Sequence, residues 1–451
     1  MMNRNDTIAA IATPPGNGGI GIIRISGPLA EKILTTVFRP SAAGMVRPVS
    51  HQLVYGKLID EGEMMDECMA VLMRAPKSYT REDVAEIHLH GGYYMLNSAL
   101  ALCLKHGARL AEAGEFTRRA FLNGRIDLSR AEAVMDLISA KGEQQRKAAV
   151  RQLNGGAASF VRSFADELYT LQAGLAACID YPEEISDEEG TSALKEGLRK
   201  LIEELENAID EHSSRLIHHG LHVALIGRPN VGKSSLLNAL LGEDRAIVTD
   251  IPGTTRDIVQ GEMIINGFQI ILTDTAGIRQ TDDPVEKIGV ERSEKAMSEA
   301  DVSLLIIDAS EPVSASDREL LERLDGPFTV VLNKSDLPAA TTAEDILAIR
   351  PDAELLTVSV LEPDSLSVIR EYLDRFVRVS DRLSLTQPRH LDAARRAVFF
   401  LKDALSTLSV YSPDMAATDL QAAQEALSEI TGDRADEKLL DTVFSRFCVG
   451  K

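Results

Sequence analysis

The chain reads as a multidomain protein: an α+β module at the N-terminus, an all-α domain, and an α/β unit inserted into that all-α domain. Three observations predict this. Short apolar runs separated by turn residues fill positions 6–114; long helical periodicity fills 128–217 and returns over 389–447; between them, apolar strands alternate with helical stretches over 221–377. At 451 residues there is length for roughly three domains, and 44% hydrophobic residues suffice for real cores.

In the first part, strands are expected at 8–13, 20–26, 52–59, 70–74 and 84–90, followed by a helix over 93–105 closed by His106-Gly107. The helical blocks break at Asn154-Gly155-Gly156 and Tyr181-Pro182, and a loop is expected over the acidic run 180–189. Neither block sustains heptads with charged flanks, so a coiled coil is disfavoured. There is no internal repeat. The economical division is 1–118, 119–217, 218–378 and 379–451, the second and fourth being halves of one helical domain. An inserted unit of this kind needs termini that lie close together.

The α/β unit carries nucleotide-binding signatures in a fixed order. Gly227-Arg228-Pro229-Asn230-Val231-Gly232-Lys233-Ser234 follows the apolar run 221–226 and precedes the helical stretch that begins at Ser235. Strand, glycine loop, helix is the context that turns this pattern into a phosphate cradle, with backbone N–H groups and a helix N-terminus facing the anion. Lys233 can reach the β- and γ-phosphates, and the Ser234 hydroxyl can ligate Mg²⁺. Asp274-Thr275-Ala276-Gly277 ends the apolar run 269–273, where the aspartate can sense Mg²⁺ through water and the glycine amide the γ-phosphate. Between these two lie Thr249-Asp250-Ile251-Pro252-Gly253-Thr254-Thr255, the interval of a switch loop, where Thr255 could complete the Mg²⁺ shell.

Base choice is written further on. Asn333-Lys334-Ser335-Asp336 ends a third apolar run, 329–332, and the Asp336 carboxylate can accept from both the ring N–H and the exocyclic amine of guanine. Adenine presents an incompatible edge there. Ser359-Val360 stands where a fifth, base-side loop belongs, with valine in place of the usual small alanine. The expected unit is an α/β P-loop GTPase domain with a Ras-like parallel sheet, and its substrate is GTP.

Two gaps shape the expected chemistry. Many small GTPases orient the attacking water with a glutamine just after Asp-x-x-Gly; here that position is Ile278, which cannot hold water. The protein is then expected to hydrolyse slowly or to recruit another polar group, for which Glu286 is the best placed candidate. No arginine finger is evident, although Arg279 is one source of charge; Asn230 offers a carbonyl that could hold a monovalent cation between the phosphates.

Composition excludes other classes. No apolar stretch reaches the roughly 18 residues needed to span a bilayer, and the first residues lack a signal-peptide core, which disfavours a membrane transporter with a GTPase domain. Cys68, Cys103, Cys178 and Cys448 show no metal-type pairing, so a reduced cytoplasm is the expected setting. A net charge of −21 argues against broad adhesion to nucleic acid or anionic membrane. Local clusters at Arg118-Arg119, Arg125, Arg389-His390 and Arg395-Arg396 could still meet phosphates.

Outside the α/β unit, the segments 6–27 (with Thr13-Pro14-Pro15-Gly16-Asn17-Gly18-Gly19), Gly114-Glu115-Phe116-Thr117-Arg118-Arg119-Ala120-Phe121-Leu122-Asn123-Gly124, and the terminal Phe447-Cys448-Val449-Gly450-Lys451 resemble the MnmE (TrmE) family of tRNA-modification GTPases. The resemblance covers essentially every domain. It implies a homodimer that joins an MnmG flavoprotein in a heterotetramer, FAD coming only through that partner, and addition of a carboxymethylaminomethyl or aminomethyl group to C5 of the wobble uridine of certain tRNAs. It also implies a 5-formyl-tetrahydrofolate-type donor on the N-terminal domain, held by Arg24, Glu86 and Lys451, with Arg125 where the family has lysine. Cations suit the glutamyl carboxylates of a folate, and a carboxylate can take paired hydrogen bonds from a pterin.

The same resemblance implies potassium stimulation, with Asn230, Thr249, Ile251 and Thr254 as K⁺ ligands, Ser234 and Thr255 as Mg²⁺ ligands, Glu286 as the acid that orients water, and Cys448 as a candidate nucleophile. The competing reading is a GTPase that assists ribosome assembly by binding ribosomal RNA without covalent change. It leaves the N-terminal segment and the Cys-Val-Gly-Lys tail idle.

Overall fold

The computed structural model describes residues 6–41, 49–181, 187–243, 259–274, 299–379, 385–410 and 413–450. They divide into two compact units: Met1–Met135 with Gln152–Ile202 and Arg396–Lys451, and Asp136–Arg151 with Glu203–Arg395. No helix among the described residues is long and apolar enough to cross a membrane.

The first unit is built on a seven-stranded sheet of β1 (Ile8–Ile11), β2 (Gly18–Ser26), β3 (Phe38–Pro40), β4 (Val54–Asp60), β5 (Glu63–Met73), β6 (Val84–Gly91) and β7 (Arg109–Leu110), in the order β3-β4-β5-β6-β2-β1-β7. Period-2 alternation decides its faces. Ala85, Ile87 and Leu89 of β6 join Ile23 and Ile25 of β2 in a core closed by α1 (Ala30–Val37) and α2 (Tyr93–Lys105), while Glu86 and His88 fall on the opposite face. Each fully buried Ile or Leu contributes about 1.5–3 kcal/mol of transfer free energy. Helix α1 is not among the elements expected above, although Ala30, Ile33, Leu34 and Val37 have the spacing of a helix face.

On that opposite face lies α3 (Glu115–Leu122), whose Phe116 packs with Ile8 and Ala10. Next come α4 (Leu128–Ser139), α5 (Glu143–Leu153), α6 (Gly156–Asp180), α7 (Asp187–Ala208) and α8 (Glu211–His219). Because α7 begins at Asp187, the last acidic residues of 180–189 belong to a helix rather than to the expected loop.

The second unit carries a six-stranded sheet of β8 (Leu221–Ile226), β9 (Val259–Ile265), β10 (Phe268–Asp274), β11 (Val302–Asp308), β12 (Phe328–Asn333) and β13 (Leu355–Thr357), in the order β13-β12-β11-β8-β10-β9. Helices α9 (Lys233–Glu243), α10 (Ala315–Arg323), α11 (Ala343–Leu347) and α12 (Ser367–Asp374) lie between and after its strands, and α8 and most of α5 belong to the same unit. Val223 and Leu225 face one core and Ala224 and Ile226 the other, so β8 is buried on both faces, as central parallel strands are. The parallel sheet gains an edge strand that sequence reading did not separate: β9 runs antiparallel to β10. Their two-residue connection, Asn266-Gly267, is a strong hairpin signal. On either side of the inserted stretch, Leu385 N–H donates to the Ala208 carbonyl at 2.8 Å, so the flanking segments lie side by side.

The C-terminal helices are α13 (Pro388–Val410), α14 (Pro413–Thr431) and α15 (Glu437–Phe444). In the first unit α14 lies along α6, and α15 packs Leu440, Val443 and Phe444 against Leu128 and Ala131 of α4. The phenyl rings of Phe444 and Phe121 sit 6.3 Å apart. This docking returns the chain end to the N-terminal sheet.

Four arginines of the basic clusters form ion pairs within the protein. Arg119 is buried and pairs with Asp6 (2.5 Å), Glu82 (3.1 Å) and Glu115 (3.1 Å). A desolvated guanidinium demands such partners. Arg118 pairs with Asp441, Arg396 with Glu429, and Arg395 with Glu211.

Candidate functional site

The C-terminal ends of β8, β10, β11 and β12 form one edge of the parallel sheet, where ligands of open α/β sheets bind. The glycine loop leaves β8 at this edge and enters α9 at Lys233. Two glycines are required by geometry. Gly227 has φ +145° and a Cβ there would meet the Ile306 carbonyl at 2.4 Å; Gly232 has φ +100° and its Cβ would meet Asn333 Nδ2 at 2.3 Å. Asn230 is held in the left-handed region at φ 67°, a conformation that costs on the order of 1 kcal/mol and is typical of ligand clamps.

Within the loop the Lys233 ammonium donates to the carbonyls of Gly227 and Arg228, both at 2.6 Å. Burial lowers its pKa from the ordinary lysine value, against the opposing pull of Asp274. A buried ammonium whose hydrogen-bond partners among the described residues are carbonyls is poised to accept an anion. The Ser234 hydroxyl donates to Asp274 Oδ2 at 2.6 Å, which places two hard oxygens from α9 and β10 together. This donor set fits Mg²⁺, which prefers oxygen and keeps several waters.

The base-side loops lock onto the phosphate loop. Asn333 Nδ2 donates to the Val231 carbonyl at 2.9 Å, while its Oδ1 is buried with no hydrogen-bond partner among the described residues. Lys334, at φ 64°, extends its ammonium to Asp308 Oδ2 at 2.5 Å. Burial opposes ionisation of Asp308, but Lys334 and Ser310 outweigh it and hold the carboxyl below the usual carboxylate range. The Ser359 hydroxyl donates to Asp336 Oδ1 at 2.5 Å, and Val360 is half-buried against the core. Thus Asn230, Val231, Gly232, Lys233, Ser234, Asp274, Asn333, Lys334, Asp336, Ser359 and Val360 gather at one sheet edge, and Ser235 is exposed at the start of α9.

A second cluster lies on the open face of the N-terminal sheet. Arg24 on β2 stands directly across from Glu86 on β6, and its Nε donates to Glu86 Oε1 at 2.8 Å. Arg24 Nη1 also reaches the Gly450 carbonyl at 3.2 Å, because Val449 pairs with Ala113 beside α3. His88 Nε2 lies 3.3 Å from Glu86 Oε2. This hydrogen bond and then, against burial, the Arg24 charge hold the Glu86 carboxyl below its usual range. Arg125 stacks 4.6 Å from the Tyr79 ring centroid and donates to the Tyr79 carbonyl at 3.1 Å. Cys448 is exposed, whereas burial pushes the thiols of Cys68 and Cys103 up to about 12.

Thr249, Asp250, Ile251, Pro252, Gly253, Thr254, Thr255, Thr275, Ala276, Gly277, Glu286 and Lys451, with Ile278 and Arg279, lie outside the described residues. Sequence reasoning missed three residues that the geometry singles out: His88, Asp308 and Arg228. The Arg228 guanidinium ties the phosphate loop to the buried Asp317 at 2.9 Å and to Glu311 at 3.2 Å. Only His88 carried a readable signal, its period-2 spacing from Glu86.

Sheet order, a phosphate loop at the C-terminal edge and a base-side loop fastened to it are the architecture of a P-loop GTPase, an enzyme that hydrolyses GTP. Comparison with known proteins narrows this class. A model of the MnmE helical domain matches residues 128–448, and one of the GTP-binding protein TrmE N-terminus matches residues 7–125. The chain is similar to the tRNA modification GTPase MnmE of Lactiplantibacillus plantarum, at 44% identity over 99% of this chain and 98% of that one. It is 45% identical to the protein of that name from Streptococcus agalactiae, again over 99% and 98%, and 42% identical to that of Clostridioides difficile, over 99% of each. The chain belongs to the MnmE family.

Proposed function

We propose that this protein is a potassium-stimulated GTP hydrolase that acts on tRNA. With an MnmG-type flavoprotein, which brings the FAD, it directs addition of a carboxymethylaminomethyl or aminomethyl group to C5 of the wobble uridine. The relatives' shared name, over nearly the full length of the chain, supports the tRNA substrate. One observation carries the one-carbon half of the reading: Arg24, Glu86 and Gly450, far apart in sequence, converge on one sheet face. A homodimer in the cytoplasm is part of the same reading.

In this reading the glycine loop and Lys233 hold the β- and γ-phosphates, and Ser234 with Thr255 ligates Mg²⁺. Asn230, Thr249, Ile251 and Thr254 ligate K⁺, and Asn333, Lys334, Asp336, Ser359 and Val360 hold the guanine. Asp250, Pro252, Gly253, Ser235, Asp274, Thr275, Ala276 and Gly277 complete the nucleotide contacts. Arg24, Glu86, Arg125 and Lys451 bind 5-formyl-tetrahydrofolate or a related folate, which when bound supplies the one-carbon unit. Their donor set suits it: Arg24 and Arg125 present cations and a stacked Tyr79 ring, and Glu86 presents a shielded carboxylate. Cys448 is exposed beside this cluster and is the proposed nucleophile.

Nucleoside analysis of tRNA from cells lacking the protein is the direct test. Loss of the modified wobble uridine is expected; intact modification with accumulating ribosome precursors would instead favour the assembly-factor reading. Potassium is tested separately. Exchange of K⁺ for Na⁺ at constant ionic strength is expected to slow hydrolysis, because ionic radius sets the fit between carbonyl ligands and phosphate oxygens. Equal rates in the two salts would return the charge-compensating role to an arginine such as Arg279.

A further inference from the structure

We infer that His88 is a positioning residue for the one-carbon donor, fixing the carboxylate plane of Glu86 so that both oxygens face a pterin edge. The inference rests on the folate reading and deepens it. Strand β6 places Glu86 and His88 two residues apart on the open face of the sheet. Register puts Glu86 between Arg24 and Val71, and His88 between Ile22 and Met69. The carboxylate is therefore gripped from two directions, Oε1 by Arg24 Nε at 2.8 Å and Oε2 by His88 Nε2 at 3.3 Å.

Two grips do what one cannot. The terminal torsion of a glutamate is broad, so a single partner at Oε1 leaves Oε2 free to swing out of plane. Paired hydrogen bonds from a ring N–H and its exocyclic amine need the two acceptor oxygens coplanar with the donors. Arg24 is itself braced, by the Gly450 carbonyl and by the rings of Phe116 and Tyr79 at 5.8 and 5.7 Å. Packing alone does not call for an imidazole here, since the cross-strand neighbours of His88 are apolar. Its N–H is the feature that the site uses.

The test is calorimetric titration of the full-length protein with 5-formyl-tetrahydrofolate, comparing wild type with His88→Ala, His88→Gln, Glu86→Gln and Arg24→Ala. His88→Ala is expected to weaken binding about ten-fold, in line with loss of a hydrogen bond to a charged group. His88→Gln, whose amide N–H reaches a similar point, should restore most of the affinity. Wild-type affinity in His88→Ala, or equal weakness in His88→Gln, overturns the inference. If Glu86→Gln and Arg24→Ala weaken binding while His88→Ala does not, only the positioning role falls. If the wild type fails to bind, the folate reading falls with it.

Discussion

Replacing Asp336 by asparagine is expected to weaken GTP binding about a hundred-fold and to admit xanthosine triphosphate. In the proposed site the ionised carboxylate accepts from two guanine donors at once, and hydrogen bonds to a charged group are worth about 1.5–3 kcal/mol each. An asparagine keeps one acceptor and turns a donor toward a donor. Xanthine replaces the exocyclic amine with a carbonyl and so matches the new amide. Ser359 already donates to Asp336 Oδ1 at 2.5 Å, so the carboxylate is fixed before the base arrives. Competition binding with both nucleotides decides the matter: unchanged preference for GTP in the variant would remove Asp336 from base selection.

Glu286→Ala is expected to lower single-turnover hydrolysis by about 10² to 10⁴, the range of a positioned acid or base, while GTP affinity stays within a few-fold. Glu286 lies outside the described residues, and its expected role follows from the chemistry of the residues around it in sequence. Ile278 occupies the position where a glutamine usually orients the attacking water, and an alkyl side chain has no atom that can do this. Hydrolysis is then either slow or assisted by a polar group from the following segment, and Glu286 is the proposed one. Loss of turnover with binding intact is the signature of an interaction made in the transition state. Turnover equal to wild type would dismiss Glu286 and direct attention to other acids of the same stretch, Asp282 and Asp283.

Much of the nucleotide site was legible because it is local. A glycine loop, its lysine and its serine are consecutive residues, and their chemistry follows from a strand on one side and a helix on the other. Phe268–Asp274 and Phe328–Asn333 could be read as strands because a sheet covered on both faces leaves continuous apolar runs. The Lys334–Asp308 and Arg228–Asp317 pairs could not be read. Each joins residues separated by a whole strand or helix, and nothing in the spacing of charges along the chain says which ones meet. Arg119 was unreadable for the same reason: it reads as a surface charge until Asp6, Glu82 and Glu115 close around it.

By itself, the amino-acid order determined the class of ligand, since phosphate and guanine contacts are made by short contiguous motifs, and it determined the helical and strand character of the parts, since periodicities of 3.6 and 2 are local properties. Only the tertiary structure decided that Gly450 would reach Arg24. That meeting depends on α15 burying Leu440, Val443 and Phe444 against α4, a long-range hydrophobic contact that carries the chain end to the open face of the first sheet. It likewise decided that His88 and Arg24 share Glu86, because strand register places side chains opposite one another and register is fixed by the core on the other face.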